Sequence, residues 1–301
     1  MCGTGWDPAQ PGSAHGPRPA ATRALARFHL TVPVQTGSVQ GVADWEPDRY
    51  ERFKTQRAEP FWDLLELVHR GGIERAVDLG CGTGELTVAA ADQLGVRHMT
   101  GVDSSPAMLE RAARHGRVAV DFVDGDIARW TSHADHDLVL ANAALQWVPD
   151  HRGVLERWVA ALAPQGQLAV QVPANHDHAS HLASVDVALR EPFASMFGGD
   201  PPADPVATNV LTPENYATTL YELGLVEPHV RLQVYGHVFE SPADVVEWTR
   251  GTSLTRFFKR LPPDMHEHFV DAYRDELLGR IGTEGPYFYA FKRILMWGRK
   301  A

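Results

Sequence analysis

Two hydrophobic periods alternate along most of this chain. Short apolar runs at Arg75–Leu79, Met99–Val102, Val120–Val123, His136–Ala141 and Gln167–Val172 read as strands. Between them the spacing predicts helices over about Glu85–Leu94, over Pro106–His115 with Ser104 or Ser105 as its cap, and over Gly153–Leu162. The run at His136–Ala141 is apolar in a way expected of a strand covered on both faces. Ahead of the first strand, Phe61, Leu64, Leu65, Leu67 and Val68 recur at helical spacing, with Pro60 suited to a first turn and Gly71-Gly72 as a stop. Strands alternating with helices in this manner predict an α/β fold: a Rossmann-like, doubly wound, mostly parallel sheet.

The pattern changes after Pro173. Residues 176–210 are rich in His, Pro and Ala, with no clear strand. Further on, Pro213–Leu223 reads as a helix, Val230–Phe239 as a strand, Pro242–Thr249 and Asp264–Leu278 as helices, and Tyr287–Trp297 as an aromatic-rich strand. Residues 1–43, with four prolines between Asp7 and Pro19, read as a flexible extension with a short helix at Thr22–His29. The chain thus divides into this extension, a core at 44–175, and a region at 176–301 in which helical insertions (about 176–212 and 241–285) cover a ligand while two late strands complete the sheet. The ligand pocket is expected above the carboxyl ends of the strands.

Charge and cysteine content narrow the partners. The 301 residues carry 28 Lys and Arg against 38 Asp and Glu, a net charge of −10, which repels a phosphate backbone; no nucleic-acid partner is expected. A local basic pocket is still compatible with that balance. No apolar run approaches the roughly 20 residues that cross a bilayer, and no signal-peptide core follows the N-terminal charges, so no membrane partner is expected. Two cysteines, Cys2 and Cys81, make neither a disulfide framework nor a Cys-rich zinc site, and a reducing cytoplasm fits them best. No metal is expected, and the assembly is read as a monomer or homodimer.

The chemistry-bearing motifs follow the strand ends. Val77-Asp78-Leu79-Gly80-Cys81-Gly82-Thr83-Gly84 lies between a strand and a helix, and its glycines let the backbone approach a ligand closely. The third glycine of a dinucleotide site would fall at Glu85 and is absent. Asp78 would repel a pyrophosphate but suits the amino-acid end of S-adenosylmethionine (SAM), which has no phosphate. Asp103 ends the next strand, 19 residues after Gly84, where a carboxylate accepts both ribose hydroxyls. Ser104 and Met108 follow it toward the adenosine. Gly125-Asp126-Ile127 places an acceptor for the adenine amine beside an apolar side chain. Asn142 and Ala143 begin the turn after the fourth strand, where the methyl would be presented, with Gln146 and Trp147 flanking the pocket. Read blandly, these same residues are a glycine-rich turn, helix caps and helix-start packing; their succession at strand ends favours the cofactor.

These residues resemble the trans-aconitate 2-methyltransferase family, a branch of the class I SAM-dependent methyltransferases. The resemblance is carried by Trp45-x-Pro47-x-x-Tyr50, Asp78-Leu79-Gly80-Cys81-Gly82, Asp103-Ser104-Ser105-Pro106-x-Met108, Asn142-Ala143-x-Leu145-Gln146-Trp147 and Val170-Gln171-x-Pro173-x-Asn175, and covers about residues 44–299. It implies SAM contacts at Arg57, Asp78, Gly80, Asp103, Asp126, Ile127 and Asn142. The chain departs from the family at Glu59, where a second basic residue is common, and at Lys292, where Arg is usual. Arg grips a carboxylate bidentately and Lys does not, so these departures bear on the acid substrate more than on SAM.

For the acceptor, Tyr50, Gln146, Asn175, Arg256, Tyr289 and Arg293 are the candidate binding residues. Tyr235 and His237 lie two apart on one strand, face one side, and are the candidate catalytic pair, His237 acting as base where the nucleophile needs one. A half-buried structural histidine is the plainer alternative. His176, His178 and His181 read as surface histidines. Four functions remain open at this point: methylation of a carboxylate on a trans-aconitate-like acid, methylation of an aromatic O, N or C nucleophile such as a phenol or indole, SAM binding without catalysis, and, last, a NAD(P)-dependent dehydrogenase, against which the absent third glycine and Asp78 argue.

Overall fold

The computed structural model describes residues 58–301, and the expectations for residues 1–57, among them Tyr50 and Arg57, lie outside the described residues. A helix at 58–65 (α1) leads into seven strands: β1 (Arg75–Leu79), β2 (His98–Asp103), β3 (Val120–Asp124), β4 (His136–Asn142), β5 (Leu162–Pro173), β6 (Leu225–Phe239) and β7 (Tyr287–Lys300). They form one sheet in the order β3-β2-β1-β4-β5-β7-β6. The first five strands run parallel, whereas β7 is antiparallel to both of its neighbours. The α/β doubly wound expectation therefore holds.

The strand period of two sorts the core onto the two faces of the sheet. Leu138 and Leu140 of β4 join one apolar layer with Phe61, Leu64 and Leu65 of α1. Val139 and Ala141, from the same strand, join the other with Trp158 and Tyr216. Helix α2 (Glu85–Leu94) stops at Gly95 in the left-handed conformation; α3 (Pro106–Ala112) is capped by Ser105; and α4 (His151–Ala160) is capped by Asp150, whose side chain accepts from the Gly153 amide.

Where boundaries moved, the causes are local. β5 begins at Leu162 rather than Gln167, because its pairing with β4 shifts register between His136 and Leu138, with Gly166 lying so near the His136 carbonyl that a Cβ would sit 2.6 Å from that oxygen. β6 begins at Leu225 rather than Val230: it is an edge strand, where Pro228 is tolerated beside the register shift between Val226 and His229.

The expected insertions are helical. The first holds α5 (Ala179–Ala188), α6 (Phe193–Met196) and α7 (Pro205–Asn209), and is followed by α8 (Pro213–Glu222). The second holds α9 (Asp244–Arg250), α10 (Thr255–Phe258) and α11 (His266–Ile281). Among the described residues, no helix is long and apolar enough to cross a membrane.

Candidate active site

The glycine loop after β1 is bound to the tip of β2. Gly80 and Cys81 both donate to the Val102 carbonyl, at 2.8 and 3.0 Å, and Gly82 donates to Asp103 Oδ2 at 2.9 Å. Asp103 Oδ1 accepts the Ser105 amide at 2.9 Å, so the carboxylate is fixed while each oxygen keeps a lone pair for a ribose hydroxyl. Gly80 requires its lack of a side chain twice over: its φ is 85°, and a Cβ there would fall 2.2 Å from that of Ala144 in the turn after β4. This contact joins the loops of two adjacent strands into one floor.

Asp78 lies beneath that floor, 3% exposed. Its Oδ2 accepts the Thr87 hydroxyl at 2.6 Å, while Oδ1, equally buried, has no hydrogen-bond partner among the described residues. Burial pushes this carboxyl up to about 6; the Thr87 bond opposes the shift and the Asp103 charge adds to it. An orphaned acceptor that buries charge at cost is suited to the ammonium of SAM. Burial, then Asp78 and Asp103, push the Cys81 thiol up to about 12, so it is an inert wall.

The remaining cofactor candidates stand at the same sheet edge. Ser104 and Met108 are exposed beside the tip of β2. Gly125 donates to the Asp103 carbonyl at 3.1 Å; Asp126, exposed, accepts from Ala128; and the Ile127 carbonyl accepts the Trp158 indole. Asn142 ends β4, and Ala143 after it adopts φ 52°, a strained conformation for a residue with a Cβ. Ala143 donates to the Gln171 carbonyl and accepts from the Gln146 amide at 2.6 Å. Trp147 is 61% exposed.

From this turn a cavity of about 430 Å³ opens under the helical insertions. Ala143, Gln146 and Trp147 line its cofactor side; Trp248, Tyr289 and Phe291 form an aromatic wall; Arg256 and Arg293 supply cations. Gln146, Arg256, Tyr289 and Arg293, expected from sequence, are thus brought together. Arg293 stacks on the Phe291 ring at 4.1 Å, and Arg256 donates to the Ser253 carbonyl and the Ser184 hydroxyl, each at 3.0 Å.

Three expectations are corrected. Tyr235 does not reach the cavity: it is 3% exposed and donates to Asp63 of α1 at 2.8 Å. His237 is 2% exposed and packs between Trp248 and Phe291, behind the aromatic wall. Alternate residues of β6 point into the core there, so the shared face that made the pair attractive is an interior one. Asn175 is also structural, since it donates to the Ala290 carbonyl and accepts the Lys292 amide at 2.6 Å, tying the end of β5 to β7. Lys292 itself pairs with Asp177.

The histidine run needs the same treatment. His176 is exposed, but His178 and His181 are largely enclosed. His178 lies against the Tyr287 hydroxyl, with its pKa lowered to about 4 by burial first and by the neighbouring His181 charge. His181 lines the cavity with Asp204, Thr249 and Ser253, none of which the sequence singled out. Asp204 carried one weak signal, an Asp-Pro pair opening a helix.

A parallel sheet with an inserted antiparallel seventh strand, a glycine loop in place of a phosphate cradle, and an acid at the tip of the second strand define the SAM-dependent methyltransferases of class I. The comparisons agree. Residues 76–166 match a methyltransferase domain family. The chain is 40% identical over 253 residues to a trans-aconitate 2-methyltransferase of Deinococcus radiodurans, covering 83% of this chain and 96% of that one. Among solved structures, a methyltransferase candidate from Bacillus halodurans aligns with a TM-score of 0.53 at 15% identity, over 81% of this chain and 99% of that one. A phosphoethanolamine N-methyltransferase 2 of Haemonchus contortus, in complex with S-adenosylhomocysteine, aligns at 0.50 and 16% over 82% of this chain, which spans about half that protein's length at 52%. The chain belongs to the trans-aconitate 2-methyltransferase family, and it is a SAM-dependent methyltransferase.

Proposed function

We propose that the enzyme methylates a carboxylate of a small polycarboxylic acid of the trans-aconitate kind. The observation that carries this reading is the cavity beside the turn after β4, where Arg293, and Arg256 beside Asp204, stand across from the aromatic wall. Bound SAM supplies an electrophilic methyl on a sulfonium whose departure leaves a neutral thioether. The residues of the chain have the task of alignment and water exclusion. Asp78 holds the ammonium, Asp103 the ribose hydroxyls, Asp126 the adenine amine and Ile127 the ring, with Ser104, Met108, Gly125 and Asn142 around them. Ala143, Gln146 and Trp147 border the reacting centre.

A carboxylate nucleophile carries its own charge, so no side chain has to remove a proton. The insertions bearing α5–α7 and α9–α11 act as the cover that excludes water. In this reading the enzyme works in the cytoplasm as a monomer or homodimer, without nucleic acid or membrane. Incubation with methyl-labelled SAM and a panel of polycarboxylates should yield a base-labile ester; no ester from any of them overturns the proposal.

One observation favours a second reading. Trp248, Tyr289 and Phe291 offer flat faces on which an aromatic acceptor stacks. Labelled transfer to a phenol or indole, with none to the acids, would establish that reading instead.

A further inference from the structure

We propose that acid binding in this cavity is proton-linked: the wall built by His181, Asp204 and Arg256 holds an anion only when His181 is charged. The inference rests on the carboxylate reading above; it adds His181 and Asp204, to which that reading gives no role, and revises the part played by Arg256.

Geometry carries the argument. His181 Nδ1 lies 2.5 Å from Asp204 Oδ2, and the two side chains are 12% and 6% exposed. Asp204 Oδ1 accepts the Val206 amide at 2.9 Å, so one oxygen caps α7 while the other holds the imidazole. Arg256 Nη1 approaches the same Oδ2 at 3.7 Å, and all three residues line the cavity. With Nδ1 committed to Asp204, Nε2 is the ring nitrogen left for a ligand.

Charge then decides what that nitrogen can hold. Burial pushes the Asp204 carboxyl up, but the His181 bond and charge, the Arg256 charge and the Val206 amide outweigh it and bring it down to about 2. An ionised Asp204 cancels Arg256. While His181 is neutral the trio has no net charge, and Nε2 presents a lone pair that repels a carboxylate oxygen. Once His181 is protonated the trio carries one net positive charge, and Nε2 becomes a donor. Arg256, the obvious carboxylate clamp by sequence, is therefore already compensated, and the proton on the imidazole decides the net charge of the trio.

The other ionisable groups around His181 are accounted for. Just before α5 stand His178, its N-cap, bonded to Tyr287, and Asp177, paired with Lys292 of β7. Tyr273 of α11 meets the Thr249 hydroxyl of α9, while Tyr289 and Arg293 of β7 line the same cavity. Asp204 is the carboxylate in contact with the imidazole.

The test uses trans-aconitate as probe, with S-adenosylhomocysteine present. Calorimetry in two buffers of different ionisation heat should show uptake of up to one proton per acid bound. Affinity should fall as pH rises, by at most about tenfold per pH unit. His181→Gln should abolish the uptake, flatten the pH profile and raise KM, while kcat at saturation stays within about threefold of wild type, because a carboxylate needs no base. Asp204→Asn keeps a capping side chain and removes the cancelling charge. At about pH 8 it should bind the acid about threefold tighter than wild type, whereas a merely structural Asp204 would give weaker binding. Equal affinity across pH with no proton uptake overturns this inference and leaves the carboxylate reading standing. Proton-linked binding without ester formation supports the inference and overturns that reading; no acid binding at any pH overturns both.

Discussion

Asp78 and Asp103 end adjacent strands, yet folding treats them differently. Asp78 has a pKa raised on folding to about 6, chiefly by burial. Such a group adds stability below its unfolded value near 4 and loses that contribution as pH rises through its folded value. Asp78→Asn is therefore expected to stabilise the ligand-free protein by about 1–3 kcal/mol at neutral pH, the difference opening between about pH 4 and about pH 6 and staying level above. Thermal melts of both proteins across that range measure it, and a pH-independent difference would contradict the assignment. The same variant should bind SAM about tenfold more weakly, having lost a charged acceptor for the ammonium. Asp103→Ala removes an acceptor shared by two backbone amides and the expected ribose; calorimetry should find SAM affinity down by about 2–3 kcal/mol, and an unchanged Kd would refute the ribose role. Both acids were legible from sequence because each follows an apolar run at a strand end. His181 and Asp204 were not, since they meet across 23 residues that carry no common period.

At the scale of elements, the β1 loop and the turn after β4 share a boundary at Gly80. Gly80→Ala places a methyl group where Ala144 already sits, and is expected to cost about 2 kcal/mol or more and to abolish SAM binding. Gly82→Ala is the control: its φ is also positive, at 56°, but nothing lies within 4 Å of its Cβ, so the expected cost is backbone strain alone, about 1 kcal/mol. Chemical denaturation of the two variants separates close approach from conformation, and equal losses would argue against the shared floor. The first four strands were read to within a residue at each end; in β1 and β4 burial on both faces writes a long apolar run. The starts of β5 and β6 were missed where register shifts and a tolerated edge proline break the run. Helices α6, α7 and α10, at four or five residues each, are too short to show a period at all. Tyr235 and His237 failed for the opposite reason: periodicity correctly placed them on one face, and only tertiary packing shows that this face is interior.

For the molecule as a whole, cofactor and cover act on one fold. A ligand that binds only the native state stabilises it by mass action, about 2.7 kcal/mol at a hundred times its Kd. Saturating S-adenosylhomocysteine should raise Tm by roughly 5–10 °C in a chain of this size, and NADH should leave it unmoved. A comparable shift with NADH would reopen the dinucleotide reading. The α/β class was visible from sequence, but the sheet order was not, because strand neighbours are chosen by long-range packing. That order sets a rule for biosynthesis. β7 lies between β5 and β6 and carries Tyr289, Phe291 and Arg293 into the cavity. A nascent chain whose residues 287–300 are still inside the ribosome has an open gap in its sheet and one wall of its pocket missing. Synthesis from the N-terminus presents the SAM half before the acceptor half, whose pocket is complete only once this strand pairs with both β5 and β6.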